Sequence, residues 1–83
     1  MGYVLEVHYI GPANDHKEKQ LADDAFEHGG VLTYREDPDP QALAAPVVLT
    51  FEFGTEQGAE HAAEEFRRGG EHVEGPFDYG TGA

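Results

Sequence analysis

The chain has 83 residues, no cysteine and a formal net charge of −12, with 17 acidic side chains against two lysines and three arginines. Its length allows one small core, for which oligomerisation is a common supplement. Disulfides, thiolate metal sites and a cysteine nucleophile are excluded, and with no serine in the chain so is a serine nucleophile.

So acidic a chain is repelled by nucleic acid and anionic lipid, which leaves neither as an expected partner. No apolar run approaches the roughly 18 residues that span a bilayer, and no basic-then-apolar N-terminal segment is present. A cytoplasmic location is the expectation. Few lysines, one isoleucine and many Ala, Gly and Glu accompany the charge. This composition resembles that of proteins adapted to high salt. Ordinary variation in a small acidic protein, and mimicry of a nucleic acid by a decoy for basic proteins, are the competing explanations.

Residues 3–10 alternate as a strand, with Leu5, Val7 and Tyr9 on one face and Val4, Glu6, His8 and Ile10 on the other. "GPAND" (11–15) ends it. A helix follows, with Asp15 as the expected N-cap, Glu18 as its capping-box partner and Leu21, Ala22, Ala25 and Phe26 as its buried stripe. Gly29 and Gly30 stop the helix. Residues 31–36 alternate again, placing Leu32 and Tyr34 inward and Val31, Thr33 and Arg35 outward. "DPDPQALAAP" (37–46) is a connection in which "QALAA" allows one helical turn. In the strand 47–53, Val47, Leu49, Phe51 and Phe53 face inward, and Val48, Thr50 and Glu52 outward. Thr55 caps a helix over 56–68 with the stripe Ala59, Ala62, Ala63 and Phe66. Arg67 and Arg68 suit its C-terminal end, and Gly69–Gly70 close it. The last strand, 72–79, is interrupted by Gly-Pro and belongs at a sheet edge or carries a bulge.

The order is βαβ twice, echoed by Phe-x-x-Gly-Gly at 26–30 and 66–70. The expected fold is an α+β, ferredoxin-like βαββαβ sandwich: a four-stranded antiparallel sheet with two helices on one face. Residues 1–80 form this domain, and 81–83 a short flexible tail. Strands 1 and 3, the most apolar, belong in the middle. Phe26, Leu32, Tyr34 and Phe77 are assigned to the core.

Two helices cover one face only. The other carries Glu6 and His8, Thr50 and Glu52, Thr33 and Arg35, and, if the last strand keeps its register, His72, Glu74 and Asp78. The candidate open-face site is Glu6, His8, Arg35, Thr50 and Glu52, with Arg35–Glu52 as a cross-strand charge pair. This face meets water, a second subunit or a ligand. A histidine between carboxylates suits proton transfer. Amino-acid-binding ACT modules share the element order, and so do RNA-recognition modules. The latter need aromatics on the central open-face strands and basic residues, where this chain has His8, Glu6 and Glu52.

Asp24 and His28, and His61 and Glu65, stand four apart on their helices, the spacing of ordinary surface pairs. With no HExxH or Asp-x-Asp loop, neither a dedicated metal site nor a cofactor is expected. The leading expectation is a small interaction or regulatory module, homodimeric or bound to another protein through its open face or a sheet edge. The alternative is a dimeric α+β barrel-type enzyme or ligand binder using His8 with Glu6 and Glu52.

Overall fold

The computed structural model describes residues 2–37 and 46–78. The expected turn in 41–45 and the tail 81–83 lie outside the described residues. The elements are β1 (Tyr3–Tyr9), α1 (Asp15–Glu27), β2 (Gly30–Glu36), β3 (Val47–Phe53), α2 (Glu56–Arg68) and β4 (His72–Asp78). They form an open antiparallel sheet of order β2-β3-β1-β4, the ferredoxin-like arrangement, with the two apolar strands in the middle.

Alternation drives the core. Leu5, Val7 and Tyr9 of β1 and Val47, Leu49, Phe51 and Phe53 of β3 are all buried on the helix side, with Val73 of β4. Ala59, Ala62, Ala63 and Phe66 of α2 close over them. Three alanines on that stripe let the helix lie close to the sheet, and the Phe66 ring meets Phe51 at 5.8 Å between centroids. Each buried aromatic or branched side chain contributes roughly 1.5–3 kcal/mol of hydrophobic stabilisation.

The helix ends follow capping chemistry. Thr55 Oγ1 accepts the Gly58 N–H at 3.0 Å. In α1 the cap is Asn14, one residue before the expected Asp15, and its Oδ1 accepts the Lys17 N–H at 3.0 Å. Gly58 has a second role. A Cβ there would collide with the backbone carbonyl oxygen of His28, so glycine lets the start of α2 pass the end of α1.

Glu18 serves neither as capping-box partner nor as a surface charge. It is buried, and it accepts hydrogen bonds from the Tyr9 hydroxyl and from Arg35 Nε (2.5 Å) and Nη2 (3.0 Å). Tyr9 Oη in turn accepts the Asn14 N–H at 2.9 Å. Hydrogen bonds from Arg35 hold the Glu18 carboxyl below its ordinary pKa, while burial and the bond to Glu18 raise that of Tyr9. This pairing sets the roll of α1. The inward stripe is Glu18, Leu21 and Ala25, and Phe26 is carried outward, 71% exposed, not into the core as expected.

Two bulges correct the expected facing of the edge strands. In β2 the register slips between Leu32 and Tyr34: Leu32 stands opposite Phe51, but Tyr34 stands opposite Thr50 and Arg35 opposite Leu49. Tyr34 therefore moves to the open face and Arg35 to the helix side, where it meets Glu18 and Asp37. Leu32 keeps its face but is 40% exposed at the sheet edge. In β4 the slip falls at Gly75–Pro76, between the partners of Val4 and Glu6. Gly75 has φ +108, and a Cβ there would sit 2.7 Å from the Val4 carbonyl oxygen. Beyond the bulge Phe77 lies opposite Val4 on the open face, and Asp78 opposite Tyr3 on the helix side, the reverse of both expectations. Arg67 Nη2 ties α2 to this segment through the carbonyls of Val73 and Gly75 (3.0 and 3.1 Å).

Candidate functional site: the open sheet face

Strand register resolves the open face into three cross-strand rows. The first runs Val31, Glu52, Val4, Phe77; the second Tyr34, Thr50, Glu6, Glu74; the third Glu36, Val48, His8, His72. Ile10 follows His8 by two positions and is exposed, as are Val31, Tyr34 and Phe77. Val31 and Tyr34 on β2 and Phe77 on β4 thus border the face at its two edges, with Val4, Val48 and the polar groups between them.

Of the expected site, Glu6, His8, Thr50 and Glu52 share this face, and Arg35 does not. The Arg35–Glu52 pair is absent: Glu52 stands opposite Val31, and the β2 bulge turns Arg35 toward Glu18. Glu6 and His8 are brought together, with His8 Nε2 at 3.2 Å from Glu6 Oε1. Glu52 is set apart from them: it stands opposite Val4, whereas His8 stands opposite Val48. Thr50 lies directly across from Glu6.

The structure adds His72 and Glu74, which the alternating pattern assigns to this face only if β4 holds its register up to the bulge. His72 lies directly opposite His8, with ring centroids 5.5 Å apart and planes nearly perpendicular. Glu74 lies opposite Glu6, and His72 Nε2 is 2.9 Å from Glu74 Oε2. Two imidazoles and two carboxylates form a square on neighbouring strands. The chain's lysines and arginines all belong to the helices or to the helix side of β2. The open face therefore sets Glu6, Glu36, Glu52 and Glu74 against histidines alone.

The helix layer has its own cluster. Asp24, Glu27 and Glu65 bring carboxylate oxygens within 4.8 Å of one another, and His28 Nε2 is 3.2 Å from Glu65 Oε2, with the His61 ring 6.2 Å from that of His28. The hollows described between the helices and at the β1–α1 turn are lined from this layer and from Tyr9 and Ile10, and none of them includes His8. Among the described residues, no helix is long and apolar enough to cross a membrane. Compared with known proteins, the chain matches no family model, no curated protein and no solved structure.

Proposed function

We propose that the protein is a small, salt-adapted interaction module that acts through its open sheet face by pairing with a second copy of itself. The observation that carries this reading is the exposure of Val31, Tyr34 and Phe77 on a face that neither helix covers. Exposed aromatic and branched side chains on one uncovered face, continued inward by Val4 and Val48, favour association over solvation. A four-stranded face seven residues long measures roughly 20 by 23 Å, the scale of a small two-fold interface. Two copies of so acidic a face repel at low ionic strength, so the pairing needs screening salt, in line with the composition. A catalytic use of His8 with Glu6 and Glu52 has less support, because Glu52 stands away from the His8–Glu6 pair.

The test is the mass of the full chain by light scattering, over a range of protein concentrations in molar salt. The expected result is a dimer that becomes a folded monomer in Tyr34→Asp, whose side chain is 60% exposed and so is not needed for folding. A wild-type monomer at all concentrations would overturn the proposal. So would a dimer that survives Tyr34→Asp.

A further inference from the structure

We propose that His8, His72, Glu6 and Glu74 form a binding site for a divalent transition metal of the zinc class. All four donors come from one chain, so the site does not depend on the pairing proposed above.

The first argument is the arrangement itself. A sheet that balanced its own charges would set each carboxylate across from an imidazole. Here like faces like: Glu6 is directly opposite Glu74, and His8 directly opposite His72. Like charges at directly opposed positions destabilise a sheet. No lysine or arginine on this face relieves the two carboxylates. A cation at the centre of the square turns the repulsion into attraction for both.

The second argument is reach. Zinc binds imidazole nitrogen and carboxylate oxygen at about 2.0–2.2 Å, so two donors on a tetrahedral ion stand roughly 3.3 Å apart. The His8–Glu6 and His72–Glu74 pairs already have 3.2 and 2.9 Å between nitrogen and oxygen. What remains is to swing the two pairs toward each other. Directly opposed residues on antiparallel strands have Cβ atoms about 4.5–5.5 Å apart, which makes this a matter of side-chain rotation. His72 and Glu74 lie on an edge strand with exposed side chains and have room to turn.

The third argument is chemistry. Imidazoles make up half of the donor set, which selects zinc, copper or nickel over magnesium and calcium. Four protein donors give a closed shell that would clamp the edge strand β4 to the central strand β1. Each half, Glu6-x-His8 and His72-x-Glu74, is only a two-residue alternation, and the β1–β4 pairing alone joins them.

The experiment titrates zinc alone into the full chain, following heat, the thermal midpoint and the imidazole NMR signals. One zinc per chain, a raised midpoint and shifts at His8 and His72 are expected. His72→Gln, at an exposed position, should weaken binding by about tenfold or more, since even outer-shell losses cost 10–100-fold. His28→Gln and Asp24→Asn, in the helix-layer cluster, should leave it unchanged. Tyr34→Asp should bind zinc as the wild type does, which separates this proposal from the one on pairing. The proposal is overturned if no saturable one-to-one binding occurs, if binding persists in His72→Gln, or if His28→Gln abolishes it. Should His8→Gln fail to fold, His72→Gln and the wild-type NMR shifts decide.

Discussion

Glu18→Gln tests how α1 is held on the sheet. The side chain keeps its size and loses its charge. In the wild type the carboxylate, 10% exposed, accepts from the Tyr9 hydroxyl and twice from the Arg35 guanidinium. Glutamine offers one acceptor oxygen and points an N–H₂ group at donors. Hydrogen bonds involving a charged partner contribute about 1.5–3 kcal/mol, against about 0.5–1.5 for neutral ones. Arg35 retains Asp37, so the cost falls short of that of a fully buried broken pair, and about 1–2 kcal/mol is expected at pH 7. The pH dependence gives the sharper signature. The Glu18 pKa is lowered on folding, chiefly by the hydrogen bonds from Arg35, so the carboxylate stabilises the fold above its unfolded value. That contribution begins to fade below about pH 4.3 and is lost as the pH falls through the folded value. Urea unfolding of both proteins between pH 7 and pH 2.5 should show a gap that closes on acidification. A gap independent of pH would refute the electrostatic reasoning, and no gap at pH 7 would remove Glu18 from the stabilising network.

Gly58→Ala separates local propensity from packing. Alanine in a helix is favoured over glycine by about 1 kcal/mol, yet here its Cβ would strike the His28 carbonyl, so thermal melting should show a loss of stability rather than a gain. Salt should stabilise the monomer as well as the pair. Screening shortens from about 10 Å at 0.1 M to about 3 Å at 1 M, so the urea midpoint of Tyr34→Asp should rise with potassium chloride, and an unchanged midpoint would remove the salt-adaptation reading.

The sheet centre, the extents of both helices and the buried face of α2 are legible in the sequence, because period and capping residues decide them there. Strand β3 matches its alternation over its whole length, and α2 its stripe and its Thr55 cap. What escapes is whatever depends on a partner distant in sequence. Phe26 fits a helical stripe, but the roll of α1 is set by Glu18, whose partner Arg35 faces inward only because β2 bulges. That bulge has no glycine or proline to announce it. Thr33 fills it, its hydroxyl 3.4 Å from the Thr50 carbonyl oxygen. The β4 bulge is announced by Gly-Pro, but its consequence, a reversed facing of Phe77 and Asp78, requires knowing which way the register slips. For the candidate site, the Glu6–His8 pair is read directly from β1, whereas its counterpart His72–Glu74 emerges only once β4 is aligned against β1.

The two bulges link these corrections to how the protein can associate. Both lie on the outer strands, where an open sheet exposes unpaired amides and carbonyls to a neighbouring chain. A bulge twists and interrupts such an edge, and Pro76 also removes a donor from β4. Extending the sheet strand by strand is therefore disfavoured on either side. The same one-residue slips send Tyr34 and Phe77 to the open face and take Arg35 from it. Each bulge thus weakens the edge as a docking surface and makes the broad face more apolar. Without the slips, that face would hold an arginine across from Val48 and two fewer aromatic rings, a surface suited to water. With them it is acidic and apolar together. The charge of such a face opposes pairing at low salt, and screening or a neutralising cation lessens that opposition.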